Sequence, residues 1–404
     1  MIAALAGLFS FIGSSSVQAQ TDAVEFLNAL RSRGFYDTAL EYLDGLQASG
    51  SVPVALAEVI DLERGITQQV AGATSRVVAD RELQLNNAEA SLRKFLNEHS
   101  GHERAADANS LLGQLLLDRA STALTKAEAA ETPEEVSELQ GRARTLTEQA
   151  EKIFQAAHDQ YQAAYKEYKV FIDQNREEEL YEQKQRAEGR YINAWFSLCE
   201  CFYKRGLTYP MGSPDRKLVL DDAAARFEAL SKSQFSRTVR AYHARVMMGK
   251  CFQEQGDLGR ALGIYQDPAN QEAPQLAEVR GYAVQYTLMC QNDPSRANYE
   301  VVTRLATDWL TQFRNLATSP FGVGILYQRA FAQEKRAEAP GIESTQRESY
   351  LRAALDDATV VGRYDGPFQD VANLMVRRIK SQLGDQDAEP KDFETAFERA
   401  YALI

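Results

Sequence analysis

Apolar residues recur at alternating spacings of three and four along almost the whole 404-residue chain. That period places them on one stripe of an α-helix, whereas the strict alternation of a half-buried strand is scarce. Short clusters of Gly, Pro, Ser and Asp interrupt the pattern, as in "QEQGDLG" and "QNDPSR". Interruptions this short leave room only for tight turns, so successive helices run antiparallel and bury their stripes on their neighbours. The chain is therefore all-α. Its length suits either one large domain or an array, and internal repetition decides between them.

The stretch "ARVMMGKCFQEQGDLGRALGIYQD", residues 244–267, sets the register. Gly249 sits mid-helix, where glycine costs about 1 kcal/mol relative to alanine, so packing must require it. Gly256 before Asp257 reads as a helix end followed by the start of the next helix. Ala261 and Tyr265 then supply a small and a large residue on that second helix. The same order recurs at Leu27, Leu30, Gly34, Tyr36, Ala39 and Leu43. Trp195, Leu198, Phe202 and Gly206 repeat it, with Ala223 and Phe227 following after an insertion. A second helix ending near Phe95 leads into a first helix carrying Leu112, Gly113 and Leu116.

On these residues the chain resembles the tetratricopeptide repeat family. Met248, Gly249 and Phe252 follow its L-G-x2-Y element, while Cys199 stands where the family favours glycine. The resemblance implies an α-solenoid of antiparallel helix pairs whose first helices line a concave groove, and a function in protein binding. Exported members of the family often assist envelope assembly. "LRKFLNEHSGHERAADANSLLG" loosely follows their rhythm but lacks their proline.

One segment departs from the repeat. Leu139, Ala143, Leu146, Ala150, Ile153 and Ala157 form a narrow heptad seam, and Ala120, Ala123 and Ala127 precede it. Thr132 and Pro133 make a strong helix start between them. Residues 103 to about 175 thus read as an elongated, coiled-coil-like helical hairpin projecting from the array. Tyr161, Tyr165, Tyr168 and Phe171 thicken its base. The expected divisions are a signal peptide at 1–19, helical repeats at 20–102 and the hairpin at 103–190. The best-matching repeats follow at 191–270 and degenerate ones at 271–404, with a last helix at "DFETAFERAYALI" that leaves the array without a polar cap.

Residues 2–12 form an apolar core of signal-peptide length, and Val17 with Ala19 suit cleavage after Ala19. No Lys or Arg precedes Arg31, so the basic leader of such peptides is missing. An apolar helix packed on the first repeat is the competing reading. The expectation is an exported protein, periplasmic or extracellular, with no membrane span in the mature chain. A net charge of −12 disfavours nucleic acid as the main partner.

Cys199, Cys201, Cys251 and Cys290 are too scattered for a disulfide framework and read as small buried hydrophobes, although an inter-helix disulfide stays open. His99 and His102 in "EHSGHE" form the one cluster that resembles a metal site. They lack a third ligand and lie at a junction between repeats. "FGVGIL" lacks the third glycine and the strand of a dinucleotide loop. No cofactor, metal or catalytic residue is assigned, and the expected activity is non-enzymatic. The expected partner is a protein or peptide seated in a groove of Asn193, Phe196, Glu200, Tyr203, Lys204, His243, Val246, Lys250, Gln253 and Glu254. Alternatives are the non-catalytic part of a larger exported polysaccharide- or substrate-handling protein, and an oligomerising arm acting through residues 103–175. Self-association is compatible with each.

Overall fold

A computed structural model describes residues 15–75 and 77–384, with side chains from Ala23 onward except at 54, 55 and 78. The apolar segment 2–12 and the helix expected at 392–404 lie outside the described residues, as does most of the expected signal peptide at 1–19. Two compact units meet in sequence between Pro210 and Met211, inside the segment expected to hold the best-matching repeats.

The first unit runs α1 (Ser15–Ser32), α2 (Tyr36–Ser49), the short α3 (Val54–Ala57), α4 (Ile60–Thr74), α5 (Val78–Glu98), α6 (Ala105–Ala129), α7 (Pro133–Lys166) and α8 (Glu178–Leu207). The second runs α9 (Pro214–Lys232), α10 (Val239–Gln253), α11 (Leu258–Ala269), α12 (Ala277–Asn292), α13 (Tyr299–Gln312), α14 (Pro320–Ala337), α15 (Ser344–Val361) and α16 (Gln369–Gln382). Two single 3₁₀ turns, Pro274–Leu276 and Arg314–Leu316, lead into α12 and α14. No strand occurs among the described residues. Within each unit most of the long sequence neighbours pack as antiparallel pairs, and α12 also packs on α10 before it and α14 after it. The fold is an α-solenoid of tetratricopeptide-like helix pairs.

The turn at Gly256 shows how sequence makes such a pair. Gly256 takes φ +80°, its N–H donates to the Gln253 carbonyl, and the Asp257 N–H donates to the Phe252 carbonyl. These two bonds close the helix end and require a residue that tolerates positive φ. Asp257 then caps the next helix by accepting from the Arg260 N–H at 3.1 Å. Gly34 repeats the device at φ +79°, with its N–H on the Arg31 carbonyl and that of Phe35 on the Leu30 carbonyl.

Behind the turn, the two helices touch through a ring laid on a glycine. A Cβ placed on Gly249 would lie 2.3 Å from the Tyr265 ring, which is fully buried. One turn further on, the Tyr265 hydroxyl donates to Gln253 Oε1 at 2.9 Å, fixing the ring along α10. Gly113 receives the Phe154 ring in the same way, and Gly281 receives Phe321. Gly322 and Gly324 of "FGVGIL" lie in the first turns of α14. There a Cβ would strike the Leu316 carbonyl and the Gln285 side chain, respectively.

The hairpin of α6 and α7 is long, and Thr132 caps α7 as expected, accepting from the Glu135 N–H at 3.3 Å with Pro133 at the first position. It does not project freely, because α8 lies along α7 on a second side. Arg144 reaches Thr208, Arg205 pairs with Glu151 at 2.6 Å, and Gln162 donates to the Tyr191 hydroxyl. A helix held between two neighbours buries a wider stripe than a two-residue seam. Ala143, Thr147, Ala150, Phe154, Ala157 and Tyr161 are accordingly the buried set, while Leu139, Leu146 and Ile153 are only half-buried. Phe171 lies beyond the end of α7 and is exposed, so the aromatic band at its base stops short of it.

Buried ion pairs tie the ends of elements together. Glu63 on α4 is 1% exposed and accepts from Arg31 Nη2 of α1 and from Arg104 Nη1, just before α6, each at 2.6 Å. Arg31 also reaches Thr67 Oγ1. In the second unit Arg378 grips the buried Glu334 with two bonds of 2.8 and 2.7 Å. Breaking one partner of a buried pair strands the other charge and costs on the order of 3 kcal/mol. Glu63→Gln should therefore lower the stability of the first unit by about 3 kcal/mol in denaturant titration. A cost below about 0.5 kcal/mol would mean that the two arginines are held by something else.

Candidate functional site

Of the ten residues expected to line a groove, five lie on α8 of the first unit, four on α10 of the second, and Glu254 just past the end of α10. On α8, Asn193 is exposed, Glu200, Tyr203 and Lys204 are half-buried, and Phe196 is buried. Lys204 Nζ donates to Ser121 Oγ of α6 at 2.6 Å. On α10, His243 is half-buried, and burial holds its imidazole below the usual histidine range, with Arg240 adding to the shift. Val246 is buried at 3% exposure. Lys250 Nζ pairs with Glu254 at 3.0 Å and lies 4.9 Å from the centre of the Tyr286 ring. Glu254 also takes Arg216 at 2.8 Å, and Gln253 accepts from Tyr265.

Phe196 and Val246 are thus buried residues rather than presented ones, and Lys250, Gln253 and Glu254 are held in packing contacts. The reason is the width of the buried stripe. Within the first unit α8 packs on both α7 and α6, and within the second α10 packs on α9, α11 and α12, so positions that a single pair would leave open are covered.

The structure draws attention instead to a cavity of about 410 Å³ in the second unit, which the sequence reading did not single out. Tyr282, Gln285, Tyr286 and Met289 come from α12, Pro320 and Val323 from α14, and Tyr364 to Phe368 from the loop joining α15 to α16. The spacing of Tyr282, Tyr286 and Met289 puts three large side chains on one helical face, a visible but ambiguous signal in the sequence. Tyr282 stacks on Tyr286 at 6.1 Å between ring centres, and Phe368 stacks on Tyr327 at 4.8 Å. The loop is anchored where Gly362 meets the Asn373 side chain of α16, and the Gln369 N–H donates to the Gly366 carbonyl. Tyr364 projects, at 36% exposure. Burial pushes the Tyr286 phenol up to about 12 and raises Tyr282 as well, with Glu278 adding to the latter.

A larger cavity, about 1250 Å³, lies between α11, α12 and α13. Its lining is rich in amides, including Gln266, Gln271, Gln291 and Gln312, and its one lining arginine, Arg280, donates to the Gln271 carbonyl at 2.6 Å.

The residues considered for other chemistry have structural surroundings. His99 and His102 both pack on the Phe95 ring, and His102 Nδ1 accepts from the Arg104 N–H. Among the described residues no group of three His, Cys, Asp or Glu side chains could hold a metal ion. Cys199, Cys201, Cys251 and Cys290 are all buried, and burial pushes the Cys290 thiol up to about 11. No described helix is long and apolar enough to cross a membrane.

Among solved structures the chain is similar to the crystal structure of the P58(IPK) TPR domain, at 14% identity and a TM-score of 0.26, covering 91% of this chain and 99% of that one. The fold itself follows from the helix pairs, their turns and their ring-on-glycine contacts. No family model and no curated protein matches the sequence.

The buried character of the tyrosine cavity is directly measurable. With ¹³C-labelled tyrosine, the Tyr286 phenol should remain protonated at a pH of about 10.5, where a free tyrosine is mostly ionised. A midpoint near 10 would show that water reaches this ring freely.

Proposed function

We propose that this chain is a non-enzymatic scaffold of the cell envelope whose helical array holds a partner polypeptide. The observation that carries the reading is the pair of open cavities in the second unit, walled by aromatic rings and amides. Rings bury much surface at little entropic cost, and amides match the donors and acceptors of a peptide backbone. Both cavities are bounded by helices that ring-on-glycine contacts hold close, Tyr265 of α11 on Gly249 and Phe321 of α14 on Gly281, so little ordering would accompany binding. The placement in the envelope draws only on the apolar segment at 2–12 and the small residues Val17 and Ala19. The arm reading is less favoured, since α7 is flanked by α6 and α8 over much of its length.

A photo-crosslinking side chain placed at Tyr364 of the full chain tests the scaffold reading in cells, with the same group at Leu218 as control. Leu218 is also exposed, at 71%, but lies on α9 away from the cavity lining. Discrete adducts containing a second polypeptide should form from position 364 and not from 218. Absent adducts, or the same adducts from both positions, would count against it.

A further inference from the structure

We propose that the cavity bounded by Tyr282, Tyr286, Tyr364 and Phe368 is a pocket for an arginine side chain of the partner polypeptide; this rests on the scaffold reading and names the chemistry that it recognises. Four observations converge on a cation. The first is the wall, in which four aromatic rings surround a volume of about 410 Å³. Ring faces carry negative potential and attract guanidinium groups within about 6 Å. One of these rings already holds a cation in this way, since the Lys250 ammonium lies 4.9 Å from the centre of Tyr286 while paired with Glu254. Lys250 is not part of the cavity lining.

The second observation is the floor. Gln285 is 6% exposed, and its Oε1 finds no hydrogen-bond partner among the described residues. Its amide is seated against Gly324, where any Cβ would collide with it at 2.4 Å. A buried carbonyl oxygen without a donor is a cost that an incoming N–H removes, and Gln285 is part of the cavity lining. The third is charge. The lining contains one carboxylate, Asp365, at the exposed rim, and no Lys, Arg or His. The two cavity tyrosines on α12 have raised ionisation points, so they meet a ligand as neutral rings. The fourth is shape. A planar guanidinium stacks between rings and still directs N–H groups edgewise toward Gln285 and Asp365, which a compact ammonium cannot do simultaneously.

The test uses the full chain and two short peptides, acetyl-Gly-Arg-Gly-amide and its citrulline counterpart, which keeps the shape of arginine but removes the charge. Binding is followed through the ¹³C-labelled tyrosine resonances. The arginine peptide should bind saturably and at least tenfold more tightly than the citrulline peptide. Asp365→Asn and Tyr364→Ala, both at exposed loop positions, should each weaken it by about three- to tenfold with unchanged helix content and melting. Gln285→Leu should weaken it further, and equal thermal stability would show that the floor is lost without loss of fold. No saturable binding, equal binding of the two peptides, or wild-type affinity in both Asp365→Asn and Tyr364→Ala would overturn the pocket. Those failures would leave the crosslinking result at Tyr364 unaffected, so the pocket and the scaffold reading fail separately.

Discussion

The contact on which the rest of this architecture depends is an aromatic ring lying directly on a helix backbone. Gly249 with Tyr265, Gly113 with Phe154 and Gly281 with Phe321 are three instances, found in both units. Each lets one helix approach another to the thickness of a ring, and each replaces a side chain that would hold the pair apart. Interiors pack nearly as densely as crystals, so a spacing fixed at one point propagates to the neighbours of the pair. Glycine in these helices is unfavourable by about 1 kcal/mol on propensity alone. Close packing of a large buried ring, with its hydroxyl bonded one turn further along in the case of Tyr265, offsets that cost.

Much of this was legible in the sequence because it is local. A glycine ahead of Asp or an aromatic residue, between two apolar stripes, specifies a turn whatever surrounds it, and Gly34 and Gly256 take the positive φ that their positions demand. The small and large residues marked as packing positions, Ala39, Leu43, Ala223, Phe227, Ala261 and Tyr265, are all fully buried. The hairpin was visible for the same reason, since Thr132 and Pro133 announce a helix start and the alanines announce close approach.

What the sequence concealed is how many neighbours each helix has. A periodic stripe reports that a helix is buried, and says little about the number of helices that bury it. α7 therefore looked like half of a free two-helix arm, whereas α8 covers a second side and shifts burial from Leu146 to Thr147 and from Ile153 to Phe154. The same blindness put Phe196 and Val246 on an open surface. The tyrosine cavity escaped notice because it is assembled from α12, α14 and a loop about eighty residues further on. Nothing in the run "RYDGPF" alone connects it to "GYAVQYTLM". Only folding brings the two together, with Gln285 seated against Gly324 of "FGVGIL".

The claim that ring-on-glycine contacts set the helix spacing is tested most directly by a double-mutant cycle at Gly249 and Tyr265. The chain has two tryptophans, Trp195 in the first unit and Trp309 in the second, so Trp309 fluorescence in a Trp195→Phe background reports the second unit alone. Gly249→Ala should cost about 2 kcal/mol when Tyr265 is present, through overpacking. With Tyr265→Ala the same change should become neutral or stabilising by up to about 1 kcal/mol, because alanine is then simply the better helix former. An equal cost in both backgrounds would contradict the account, since the ring would then play no part in how closely the helices approach.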